Sequence, residues 1–205
     1  MAVITSIKPQ KNKKRVSLYL DGEFGFGLDL ENFVKLGLKT GMRLKDEEIR
    51  EIVKKAEFQK VLDKLLKFAS LRPRSEKEFN LWLKKHKVHQ SLHEDLFNRL
   101  KRLELIGDEK FAKWWVEQRL QFKYKSKREL EFELRNKGIA KEIVDQVIGE
   151  SVNQESQLAM AKKLIEKKYY KWGKLPPFNR KMKMREFLGR KGFSWDVIKE
   201  VLNSY

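Results

Sequence analysis

The residues best able to do chemistry in this chain are cations grouped at three places. Arg72 and Arg74 flank Pro73, Lys123, Lys125, Lys127 and Arg128 follow Arg119, and Arg180, Lys181 and Lys183 precede Arg190 and Lys191. Guanidinium and ammonium groups in such density are suited to binding phosphate or carboxylate and not to bond-making. Each group falls where a turn is expected to lead into a helix, so exposed backbone N–H groups and the helix dipole would add to the side-chain charge.

Other chemistry is poorly supported. His86, His89 and His93 are the only histidines, and their stretch crosses an expected helix end without a second ligand set, so they read as surface residues and no metal is implied. There is no phosphate-cradling glycine loop before a helix, no nucleophile elbow and no acidic cluster of the two-metal type. Asp46, Glu47 and Glu48 and Glu129, Glu131 and Glu133 read as capping and surface acids. The pattern is that of a binding protein with no cofactor. The tryptophans read as core: Trp82 and Trp195 fall near apolar helix positions, and Trp114 and Trp115, about 100° apart on a helix, should differ in burial.

Composition points the same way. Lys and Arg number 47 against 29 Asp and Glu in 205 residues, a formal +18 that attracts polyanions. Residues 151–205 hold +8, residues 1–45 hold +5, and the segments 46–105 and 106–150 hold +4 and +1. Nucleic acid, single- or double-stranded, or a nucleic-acid-coated protein filament heads the list of partners. The chain has no cysteine, which excludes disulfides and thiolate metal sites and fits a reducing cytoplasm. No apolar signal core and no run approaching the ~20 residues of a membrane span is present. The expectation is a cytoplasmic, monomeric protein that does not enter membranes.

The elements that must position these cations change character near residue 45. Before it, Val16, Leu18 and Leu20 alternate, Asp21-Gly22 makes a two-residue hairpin turn, and Phe24, Phe26 and Leu28 resume the alternation, predicting a β-hairpin module over 1–45 with a core from Leu18, Leu20, Phe24 and Phe26. Gly25 and Gly27 face away from the phenylalanines, where another backbone could approach. From Asp46, a plausible N-cap, the period is helical until Pro73, and Ser75 restarts a helix with Glu78 in capping-box position.

Internal repeats organise the rest. Ser75-Glu76-Lys77-Glu78-Phe79 recurs 51 residues on as Ser126-Lys127-Arg128-Glu129-Leu130, with Lys87-Val88 landing on Gly138-Ile139. A further 54 residues on, Lys137-Gly138-Ile139 matches Lys191-Gly192-Phe193, and Ile143 and Val147 match Val197 and Val201. Each unit reads as a long helix, a turn, a second helix with a glycine-type C-cap and a short third helix. The predicted fold is mainly α, with three tandem three-helix, helix-turn-helix-like repeats over 46–105, 106–150 and 151–205 behind the small N-terminal β module.

The run from Phe68 to Phe79 (FASLRPRSEKEF), the run Ile106-Gly107-Asp108-Glu109-Lys110-Phe111-Ala112 leading to Val116-Glu117-Gln118-Arg119, the segment Leu134–Ile139 and the C-terminal Phe187–Phe193 together closely resemble the RecX family of RecA regulators. Leu18–Gly27 is similar to the β extension of its longer members. The resemblance implies a protein without catalysis of its own that binds the RecA–DNA filament in its groove and modulates recombinase, ATPase and co-protease functions. Where that family shows a glycine-containing basic turn after Arg119, this chain has Gln121-Phe122-Lys123-Tyr124-Lys125-Ser126. The reading of a different class is a stand-alone architectural protein that binds nucleic acid directly; an unrecognised nuclease is a third.

Overall fold

The computed structural model describes residues 1–11 and 13–205. Strands β1 (Ala2–Pro9), β2 (Arg15–Leu20), β3 (Glu23–Asp29) and β4 (Arg43–Leu44), with helix α1 (Leu30–Lys35) between the last two, form an antiparallel sheet in the order β3-β2-β1-β4. Helices α2 (Asp46–Ser70), α3 (Glu76–Lys85), α4 (His93–Arg102), α5 (Asp108–Lys123), α6 (Lys127–Asn136), α7 (Lys141–Ser151), α8 (Gln154–Lys168), α9 (Pro177–Arg190) and α10 (Trp195–Asn203) follow. The chain divides into two compact units, residues 1–71 with 87–100, and residues 72–86 with 101–205.

In the first unit the predicted hairpin turns at Asp21 and Gly22, both at positive φ as a two-residue turn demands. The alternation then breaks. Tyr19 pairs with Phe24 but Leu18 with Phe26, so Gly25 is an extra residue in a β-bulge that sends successive phenylalanines to opposite faces. Phe26 is buried and Phe24 is 61% exposed, which removes Phe24 from the predicted core. The atoms crowding Gly25 and Gly27 most closely are side-chain atoms of Leu20 and Gln10, not a second backbone. The core closes instead with Ile52 and Ala56 of α2, packed with Ile4, Leu18, Phe26, Leu28, Leu38 and Leu44. Helix α2 thus packs on the sheet and adds two residues to a core drawn mostly from residues 1–45. Lys45, one residue before the expected Asp46, is the N-cap of α2; Glu48 reaches back to accept from its backbone N–H at 2.7 Å.

In the second unit, α5–α7 and α8–α10 repeat one packing plan. Leu130, Leu134, Ile139, Val144 and Val147 fill one core, and Met184, Leu188, Phe193, Ile198 and Val201 occupy the corresponding places in the next. The second helix of each ends in a Schellman-type turn: Gly138 at φ +85° sends its amide to Arg135, and Ile139 to Leu134; Gly192 at +77° and Phe193 do the same with Gly189 and Leu188.

The repeats are joined by a recurring set of bonds. Ser75 is fully buried as the N-cap of α3; its hydroxyl accepts from the Glu78 amide at 3.2 Å and donates to the Lys137 carbonyl at 2.9 Å, at the end of α6. Ser126, also fully buried, accepts from Glu129 at 3.2 Å and donates to Lys191 at 2.6 Å, at the end of α9. The first amide of each capped helix is satisfied from the next repeat as well, Glu76 N–H by Asp108 Oδ1 and Lys127 N–H by Gln157 Oε1, each at 2.9 Å. Burial and the neighbouring Glu76 push the Asp108 carboxyl up. The glycines after these carbonyls let the helices approach: a Cβ on Gly138 would stand 2.9 Å from Lys77 Cβ, and one on Gly192 would stand 3.1 Å from Ser126 Oγ.

Tyr124 stands where the family pattern calls for a glycine turn and takes the left-handed conformation itself, φ 50° and ψ 50°, as the C-cap of α5. Its ring lies under the ammonium of Lys167 at 4.4 Å, a contact that glycine could not make and that offsets part of the ~1–2 kcal/mol cost of the backbone.

Two substitutions at the joints test this architecture. Ser126→Ala should lower stability by about 1–3 kcal/mol, because it orphans a helix-start amide and a carbonyl at once. Gly138→Ala should cost more than the ~1 kcal/mol of ordinary glycine positions, since the left-handed backbone and the Lys77 contact both oppose a Cβ. Thermal unfolding of the full chain checks both; a variant melting with the parent would contradict the joint.

Candidate functional site

The predicted basic positions divide into cations held by carboxylates and cations left to solvent. Arg72 folds back from the end of α2 and grips Glu78 with both terminal nitrogens at 2.9 Å, and Lys137 reaches the same carboxylate at 2.8 Å. Its guanidinium also lies 5.5 Å from the Trp114 ring centroid. Burial favours the neutral acid at Glu78, but the bonds from Arg72 and Lys137 outweigh it and draw the pKa from 4.5 down to about 2. The predicted capping box is therefore half made: Ser75 accepts from the Glu78 amide, while the Glu78 carboxylate is given to Arg72 and Lys137. Arg74, half-buried beside Arg72, has its pKa lowered by burial and by its neighbour's charge.

The second cluster has the same logic. Arg119 Nε donates to Glu133 Oε2 at 2.7 Å while its guanidinium lies 3.9 Å from the centroid of Trp115, whose Nε1 also donates to that oxygen at 2.8 Å. Lys125 Nζ lies 3.4 Å from Glu129 and 3.3 Å from Glu133, and Lys191 lies 3.9 Å from Glu129. Burial works against the charged form of Glu133, yet Arg119 and Trp115 hold its pKa below the ordinary value. Lys123, Lys127 and Arg128 are exposed and make no ion pair among the described residues.

The structure corrects two expectations about these places. The starts of α3 and α6 are not open anion sites: the amides of Glu76, Glu78, Lys127 and Glu129 are taken by Asp108, Ser75, Gln157 and Ser126. Arg180, Lys181 and Lys183 lie within α9 and not in the turn before it, because Pro177 starts that helix early in place of a serine cap. Arg180 leans on Tyr169 and reaches the Tyr205 carbonyl at 3.5 Å, while Lys183 and Arg190 approach Glu186 at 3.5 and 4.0 Å.

What the fold brings together is the second turn and the end of α9. Lys125, Arg128 and Arg190 line a groove of about 520 Å³ with Phe132, Gly189 and Gly192; Lys127 and Arg128 border another of about 610 Å³ with Gln157 and Asp196. Phe132, 66% exposed on α6, was not among the predicted site residues, although its position out of phase with Leu130 and Leu134 marked it as facing away from the core. Trp115 is buried and Trp114 only partly so, as their spacing required, whereas Trp195, at the first position of α10, is 59% exposed and not core. His86 stacks on Trp82 at 3.8 Å, His89 bonds Ser91 and His93 bonds the Val88 carbonyl. Among the described residues no three His, Asp or Glu side chains are placed to hold a metal ion, and no helix is long and apolar enough to cross a membrane.

A β module followed by serially joined three-helix units defines a helical-repeat protein. Residues 2–45 match the model of the regulatory protein RecX N-terminal domain, 108–148 that of the second three-helix domain of RecX, and 155–202 that of the third. The chain is 34% identical over 197 residues to the regulatory protein RecX of Listeria welshimeri, spanning 96% of this chain and 73% of that one. It is also 34% identical over 204 residues to that of Bacillus subtilis strain 168, spanning 99% and 77%. A crystal structure of regulatory protein RecX superposes with a TM-score of 0.76 at 27% identity, covering 99% of this chain and 100% of the other. RecX from Lactobacillus salivarius shares the fold at 0.65 and 24%, over 72% and 96% of the two chains. The chain belongs to the RecX family of regulatory proteins.

The low pKa of Glu78 predicts an acid-sensitive joint. Its contribution to stability is fully present above the ordinary value of 4.5 and is lost as pH falls from there toward 2, because the unfolded chain takes up the proton first. Glu78→Gln should flatten this acid limb. Unfolding midpoints between pH 5 and pH 2 measure it, and an unchanged limb in the variant would contradict the assignment.

Proposed function

We propose that the chain binds the RecA–DNA filament in its helical groove and, with no chemistry of its own, regulates it, in net as an inhibitor of its ATPase, strand-exchange and co-protease activities. Membership of the RecX family and the motifs quoted above support this reading. The observation that carries it is the recurrence of one joint, Ser75 to Lys137 and Ser126 to Lys191, which presents equivalent surfaces in series. A partner that is itself a repeating polymer is matched by such a series. The cations Arg72, Arg74, Arg119 and Lys125 brace the turns, and Lys123, Lys127, Arg128, Arg180, Lys181, Lys183, Arg190 and Lys191 supply the attractive field, acting on the polymer's carboxylates or phosphates.

The DNA-dependent ATPase rate of RecA, measured with and without the protein, should fall as the protein is added, and an unchanged rate at saturation would overturn the reading. Truncation at residue 150 removes the segment holding +8 and should severely weaken filament binding.

Direct binding of nucleic acid is the second reading, favoured by Lys123, Lys127 and Arg128 making no ion pair among the described residues. Replacing these three by Gln should shift stability by under ~0.5 kcal/mol each. Changing Lys125 should cost more, since it leaves Glu129 and Glu133 less compensated. If the three touch phosphate, the slope of log affinity against log salt on naked DNA flattens by about one per lost contact. If they touch protein carboxylates, only binding to RecA-coated DNA weakens.

A further inference from the structure

The joint fixes an equivalence between helices α3 and α6, and that equivalence exposes a feature outside the basic turns. Ser75 and Ser126 do the same work, so Lys77 corresponds to Arg128, Leu81 to Phe132 and Lys84 to Arg135. At positions i, i+4 and i+7 these share one helix face. All six are exposed, and the central residue is a large apolar side chain in both cases, 56% exposed at Leu81 and 66% at Phe132. Neighbouring Phe79, Leu83, Leu130 and Leu134 are fully buried, so the apolar centre of each stripe is an addition to the core-facing pattern and not part of it.

The third repeat lacks the stripe. With Lys191 in the role of Lys137, the corresponding α9 residues are Met182, Glu186 and Gly189, and Glu186 is occupied by Lys183 and Arg190. By contrast Lys84, Arg128 and Arg135 make no ion pair among the described residues, and Lys77 spends its ammonium on the Asn136 carbonyl at 3.0 Å, at the end of α6. Lys77 and Arg128 thus lie against the joint glycines Gly138 and Gly192, while Leu81 and Phe132 stand beside them in solvent, the same apolar centre recurring on two helices of one plan.

Resting on the RecA-filament reading, we infer that the stripes Lys77-Leu81-Lys84 and Arg128-Phe132-Arg135 are paired docking sites for protein, each taking an apolar side chain of the filament flanked by carboxylates, on successive subunits. Charge complementarity sets the acidic character of the partner. The apolar centre sets its class: phosphates have no use for Leu81, and base stacking needs a ring that only one of the two stripes has. An apolar anchor ringed by charge is satisfied by Leu and Phe alike. Arg128 and Phe132 also border the groove of about 520 Å³, giving the second stripe a depression beside its anchor.

The test is the double variant Leu81→Ser/Phe132→Ser, whose two sites lie in solvent, assayed against RecA-coated single-stranded DNA and against naked single-stranded DNA of the same length and salt, with the thermal melt as a control on folding. The proposal predicts a loss of more than about tenfold in affinity for the coated DNA, an unchanged affinity for naked DNA and an unchanged melt. Charge reversal by Lys84→Glu/Arg135→Glu should give the same discrimination. Equal losses on both targets would overturn it in favour of base stacking, and wild-type affinity on both would assign the stripes to solvent. If the parent protein itself does not bind coated DNA, the filament reading fails before the stripes are tested, so the two failures are separable.

Discussion

A buried serine hydroxyl that accepts one hydrogen bond and donates another is the interaction on which this structure depends. At Ser75 and at Ser126 the oxygen caps its own helix and the proton holds the last turn of a helix from the following repeat. A hydroxyl can do both because it is donor and acceptor at once. The helix start and the neighbouring helix end are then complementary: an orphan amide on one side and an orphan carbonyl on the other, bridged by the serine hydroxyl. Glycine at 138 and 192 is the steric condition for that approach.

The charge pattern follows from the joint. Carrying +18, the protein would repel itself if its cations were gathered without compensation. Around each joint a carboxylate is therefore set among several cations: Glu78 between Arg72 and Lys137, Glu133 between Arg119 and Lys125, Glu129 between Lys125 and Lys191. These partly buried acids neutralise the cations that the turn itself brings inward. What remains outside, at Lys123, Lys127, Arg128 and Arg135, is positive charge that makes no ion pair among the described residues, on the helix that carries the exposed ring of Phe132 or just before it.

The sequence made local geometry legible and through-space pairing illegible. The Asp21-Gly22 turn, the Ser75 and Ser126 caps and the Gly138 and Gly192 ends each depend on a few adjacent residues whose backbone preferences are strong, and repetition at offsets of 51 and 54 reinforced them. The bulge at Gly25 was not legible, because alternation on paper continues through it while the register does not. Nor could the sequence show that Lys137, 59 residues from Glu78, would occupy its carboxylate, or that Asp108 and Gln157 would close helix starts that looked open to anions. Tyr124 hid a left-handed turn, because its stabilising partner, Lys167, comes from a helix 43 residues on. Of the candidate site, the basic clusters were visible from spacing; which cations are braces and which are free required the fold.

The central claim is that the repeats are held in series by bonds that satisfy the starts of α3 and α6 from the next repeat, and amide hydrogen exchange in the intact protein reads those bonds directly. First-turn amides of a helix ordinarily face water and exchange quickly. If the joints persist in solution, the amides of Glu76 and Lys127 exchange as slowly as those of the interior turns of α3 and α6. Exchange of both at the rate of open chain, with those interior turns still protected, would contradict the account.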